Sequence, residues 1–89
     1  MTDHAHFELN VSLPPDTRFA VTARELAVYA ARHAGCTEAR ARAFGEEVEA
    51  TILSCMERGN TDAPLPVVVR RMTGPLEVVV NGRTIALDP

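Results

Sequence analysis

The sequence contains no lysine and no tryptophan, only four aromatic residues and only two cysteines. Each shortage removes a class of function. Nine arginines are outweighed by twelve acidic side chains, for a net charge of −3, so the chain is a poor electrostatic match for nucleic acid. Three phenylalanines and one tyrosine make no stacking platform for bases. No apolar run approaches the roughly 18 residues of a membrane span, so no membrane partner is expected. The N-terminus, Met-Thr-Asp-His-Ala-His, lacks a basic region followed by an apolar core, so no export signal is read and a cytoplasmic location is the expectation. No glycine-rich loop of the kind that cradles phosphate occurs. Cys36 and Cys55 stand 19 positions apart and neither belongs to a CxxC pair. They read as two buried thiols of a reducing compartment. The absence of lysine beside many alanines fits a high-GC bacterial genome, which concerns coding bias and not function.

What is present fits one domain spanning residues 1–89, with residues 1–6 as a loose tail. The chain is 46% apolar and its mean hydropathy is −0.03. A chain of this size buries roughly 60–65% of its unfolded surface, enough for one modest core. Phe7 to Leu13 alternates apolar and polar with period two, a half-buried strand with Phe7, Leu9, Val11 and Leu13 inward. Pro14-Pro15 ends it, and Asp16 is a suitable N-cap. A first helix from about Thr17 to Ala34 carries Phe19, Ala23, Leu26, Ala27, Ala30 and Ala34 on one face. Arg18, Glu25 and Arg32 lie on the other, and Gly35 ends it. Its alanines permit close approach to a neighbour.

Thr37 caps a second helix, with Glu38 favourably placed in its first turn. Ala41, Phe44, Val48, Thr51, Ile52 and Cys55 fall on one face of it, and Arg42, Glu46, Glu49 and Glu57 on the opposite face. Gly45 inside the helix costs about 1 kcal/mol relative to alanine, which points to a tight packing contact. Leu53 falls on the charged face with no internal partner, so a partner contact is one reading of it. Gly59 ends the helix and Asn60 to Pro66 is a loop. Strands are predicted at Val67–Met72, Leu76–Val80 and Arg83–Leu87. Thr73-Gly74 joins the first two as a tight turn, and Asn81-Gly82 joins the last two as a type I′ hairpin with Ile85 and Leu87 inward. Of the basic residues only Arg70-Arg71 form a doublet, and they lie in a strand. The order is β-α-α-β-β-β. The expected fold is α+β, a two-layer sandwich with both helices on one face of a four-stranded mixed sheet.

Chemistry-bearing residues are sparse. Glu47 and Thr51 form an i, i+4 pair at the margin of the buried stripe. A carboxylate there could bind a cation or polarise a water. The alternative is a surface glutamate whose stem lies along the core edge. His4 and His6 share one side if the first strand begins early, which suits weak metal binding, but no clear third ligand follows. His33 precedes Cys36 by three at a helix end, a weak spacing for a nucleophile and its base.

Three pieces of the chain resemble the N-terminal half of the GHKL (histidine-kinase and gyrase-like) ATPase domain, most closely the short anti-sigma-factor serine kinases of bacteria. They are the strand exit Leu13-Pro14-Pro15-Asp16 with the helix ending His33-Ala34-Gly35-Cys36; the run from Phe44 to Cys55; and the strand pair Val67–Arg71 and Leu76–Val80 with the closing Leu87-Asp88-Pro89. In that family a glutamate of the second helix orients water or the substrate hydroxyl. An asparagine four residues on holds Mg²⁺, and a histidine often follows four further. Glu47 matches the first, while Thr51 and Cys55 stand at the other two positions. The family's adenine-reading aspartate is missing from Val80 to Ala86, and the phosphate lid has no counterpart. Losing adenine and metal contacts together removes several kcal/mol, at about 1–3 kcal/mol per hydrogen-bonding group.

The resemblance therefore implies a non-catalytic, protein-binding regulatory module that has lost nucleotide binding. It uses no cofactor, and it implies dimers, as anti-sigma-type domains commonly form. One alternative is an ATP-dependent serine kinase remnant with Glu47 as base and Thr51 holding Mg²⁺. A second is a stand-alone α+β interaction module unrelated to the family. Strand order separates them: the family's sheet is mixed, whereas four strands meandering in sequence order would favour coincidence.

Overall fold

The computed structural model describes residues 7–58, 64–71 and 74–87. The elements follow the predicted order: β1 Phe7–Leu13, α1 Arg18–His33, α2 Glu38–Arg58, β2 Leu65–Arg71, β3 Leu76–Val80 and β4 Arg83–Leu87. His4 and His6, Gly59, Thr73 and the 1–6 tail lie outside the described residues.

The sheet corrects the expectation of a mixed arrangement. Its order is β1-β2-β3-β4 and all three pairings are antiparallel. The reason is parity. A single helix between two strands returns the chain so that the second strand runs parallel to the first. Two helices packed antiparallel reverse the chain twice, so β2 comes back against β1, and two hairpins continue the alternation. Strand β2 also begins earlier than predicted, at Leu65, and takes in Pro66. That residue cannot donate to a ladder, but it sits at the second position of the strand, and its carbonyl accepts the Asn81 N–H at 3.1 Å.

Register places Leu9, Val69, Val78 and Ile85 in one row across the sheet, with Val11, Val67 and Val80 in the next. On this face Val67, Val69, Leu76, Val78, Val80 and Ile85 are buried, together with Leu13. They join Ala20, Ala23, Ala27, Ala30 and Ala31 of α1 and Ala41, Phe44, Val48 and Ile52 of α2 in one cluster. The strand β1 is inward by register as expected, but only Leu13 is buried and Leu9 is 43% exposed.

The helix ends are built as the residues at their termini require. The Asp16 carboxylate accepts the Arg18 backbone N–H at 3.0 Å and grips the Arg18 guanidinium at 2.7–3.2 Å. Asp16 therefore does the capping, from one residue before the N-cap position at Thr17. At the other end Gly35 takes φ of 95°. The N–H groups of Cys36 and Gly35 return to the carbonyls of Ala31 and Arg32, which is a Schellman closure. Arg71 adds a donor from β2 to the Ala34 carbonyl at 3.5 Å. Thr37 Oγ1 accepts the Arg40 N–H and opens α2. Asn81 and Gly82 both have positive φ, as the predicted type I′ turn demands.

Candidate functional site

The helix α2 is rotated by roughly 30° from the predicted wheel, because it packs against α1 as well as the sheet. Gly45 marks that contact. A methyl built there falls on Cγ2 of Val28 and lies 3.0 Å from the Arg24 carbonyl, so the packing reason expected for this glycine holds. One turn further on, Glu49 meets Arg24 at 3.3 Å. Glu49, expected on the outer face, is thus half-buried against α1.

The rotation moves the predicted site outward. Glu47 is exposed, not at the buried margin, and its carboxylate makes no hydrogen bond or ion pair among the described residues. Thr51 is half-buried, and its hydroxyl donates to the Glu47 backbone carbonyl at 2.9 Å rather than meeting the Glu47 carboxylate. One exposed carboxylate and one hydroxyl turned to its own helix do not fit a Mg²⁺ site. Among the described residues no group of three or more His, Cys, Asp or Glu could hold a metal ion. Leu53 needs the same correction. It was expected to lack an internal partner, yet it is half-buried and packs on the core. Continuing the antiparallel steps from Gly45–Val28 and Glu49–Arg24 places it level with the start of α1.

Cys36 and Cys55 are free and half-buried. Cys36 precedes α2, whereas Cys55 lies about 25 Å along it at ~1.5 Å per residue. The helix itself holds the two thiols apart.

The geometry assembles a different concavity, on the solvent side of the helix pair. A groove of about 530 Å³ is lined by Arg24, Glu25, Val28, Tyr29 and Arg32 of α1 with Arg42 and Glu46 of α2. Tyr29 is 66% exposed, and its ring stacks on His33 at a centroid distance of 6.2 Å and an angle of 11°. At one end Arg32 binds Glu38 bidentately, at 2.8 and 2.5 Å, and Arg42 approaches the same carboxylate at 3.6 Å. The Arg32 hydrogen bonds hold the Glu38 carboxyl below its ordinary range and raise the Arg32 guanidinium. No Ser, Thr, Cys or His lines the groove, so it offers donors, acceptors and an aromatic ring but no histidine-activated hydroxyl or thiol.

The spacing that carries this groove was readable. Arg24, Val28 and Arg32 recur at i, i+4, i+8, as do Glu38, Arg42 and Glu46. Facing rows of mixed charge on adjacent helices are the signal. What was missing was which rows meet.

Against known protein families, characterised proteins and solved structures, the chain matches none.

Proposed function

We propose that the chain is a non-catalytic protein-binding module of the cytoplasm, with both helices layered on the Val69–Val78–Ile85 face of the sheet. Its smallest Cα extent, 17 Å, suits one helix layer over one sheet. The helix-pair groove is the docking surface. The observation that carries this reading is the groove's make-up: an exposed tyrosine beside Glu25 and Glu46, set among three arginines that ion pairs to Glu38 and Glu49 hold in place. Pre-ordered arginines with acidic neighbours around an aromatic anchor suit recognition of another protein surface.

We take the antiparallel meander of the described strands as support for a stand-alone α+β module in place of the GHKL resemblance. The protein-binding reading does not depend on that choice.

The test compares capture of one identified partner by the wild type and three variants. Tyr29→Ser and Arg42→Glu should each weaken binding by about tenfold or more, as central aromatic and arginine contacts do. Glu47→Ala should bind as the wild type does. Equal binding by all four proteins would remove the groove from the proposal. A thermal shift of several degrees with millimolar Mg-ATP would replace it with the ATP-dependent kinase using Glu47.

A further inference from the structure

Among the described residues the strand β1 is an edge of the sheet, and it carries none of the devices that keep edges apart. Short length, lysines, prolines, bulges and inward charges are the usual protections. This strand runs seven residues in unbroken register with β2, from Phe7↔Arg71 to Leu13↔Leu65, with no proline inside it. Its single charge, Glu8, lies on the face away from the core. Its core-side row is Phe7, Leu9, Val11 and Leu13, of which Leu9 at the centre is exposed. The opposite edge is different. The strand β4 has five residues, and Arg83 stands opposite Val80 in the core-side row, an inward charge of the protective kind.

The pattern of β1 is also complementary to itself. Turned about a two-fold axis at Asn10, Leu9 meets Val11 of the partner subunit and Phe7 meets Leu13 of the partner subunit. On the other face Glu8 meets Ser12 of the partner subunit, and Asn10 meets its own counterpart. Every apolar side chain faces an apolar one, and no like charges oppose. A shift of the axis to Leu9 or Val11 would leave two of the seven residues of the strand unpaired, and a shift to Glu8 would also place two carboxylates together, so overlap and charge select the register.

We propose that β1 pairs antiparallel with β1 of a second copy of this chain, joining two four-stranded sheets into one of eight. The pairing satisfies the free backbone groups of the edge and gives Leu9 an apolar neighbour on each side. It is independent of the helix-pair groove, which lies on the solvent side of the helices and remains open in the dimer.

The test is sedimentation equilibrium on the full chain over a concentration series. The wild type should reach the mass of two 9.7 kDa chains at about 0.1 mM, and dissociate on dilution. Leu9→Lys should weaken the dimer by about tenfold or more, because two-fold symmetry counts each substitution twice. Asn10→Asp and Asn10→Arg supply the decisive pair. Asn10 is exposed, so both variants should keep the wild-type circular dichroism. Each alone should dimerise less than the wild type, since like charges then oppose across the axis. An equimolar mixture should recover dimers, since aspartate then faces arginine. A wild type that stays at single-chain mass overturns the proposal. So does a mixture that dimerises no better than its parts, which would place any dimer contact in another register or on another surface.

Discussion

Asp16 shows how much one exposed side chain can organise. Its carboxylate serves the first backbone N–H of α1 and the guanidinium of Arg18 at once. Those side-chain hydrogen bonds, and then the backbone one, hold its pKa below the ordinary 3.8. A carboxyl with a depressed folded-state pKa stabilises the fold fully above its unfolded value. That contribution fades as pH falls through the folded value. Asp16→Ala should therefore lower stability at neutral pH, and the gap from the wild type should narrow once pH drops below 3.8. Chemical denaturation of both proteins across that range checks it. A gap that stays constant to the lowest pH would mean that the carboxylate's charge plays no part. The sequence offered Asp16 as a cap because its type and position suffice. It did not reveal that Asp16 acts from outside the N-cap position, since that depends on the turn after Pro14-Pro15.

At the scale of elements, the α1–α2 contact decides most of what the chain presents. Alanines along α1 and Gly45 on α2 bring the helix backbones close, and Val28 and Arg24 fill the gap. Gly45→Ala should gain helix propensity of about 1 kcal/mol but lose more to overpacking, which costs typically 1–3 kcal/mol. The loss wins because the obstacles are a backbone carbonyl and a valine confined to one rotamer in a helix. The expected net effect is a destabilisation of about 1–2 kcal/mol. Val28→Ala should recover part of it in the double variant, because it removes the methyl that the new side chain strikes. Urea unfolding of the four proteins measures the coupling, and strict additivity would refute the contact. A buried glycine in a helix announced this contact in the sequence, but not its direction. The helical wheel was centred for a helix facing only a sheet. The added flank against α1 turned Glu49 and Leu53 inward and Glu47 outward.

For the molecule as a whole, α2 acts as a spacer as well as a core element. It keeps Cys36 and Cys55 near its opposite ends, far beyond the roughly 7 Å that a disulfide allows between Cα atoms. Mild oxidation of the native chain should leave two thiols per molecule by mass spectrometry after alkylation. An intramolecular bridge formed without unfolding would contradict the fold. Local chemistry settled much of this protein in advance. Period-two and helical spacing marked the strands and helices, Gly35 the end of α1, and Asn81-Gly82 the final hairpin, because caps and turns are made by neighbours in the chain. Strand direction, helix rotation and the faces that meet were decided only by tertiary structure. They follow from how separate elements pack and how often the chain reverses, and no window of sequence contains that information. The antiparallel sheet, the charged groove around Tyr29 and the unguarded edge at β1 are products of that assembly.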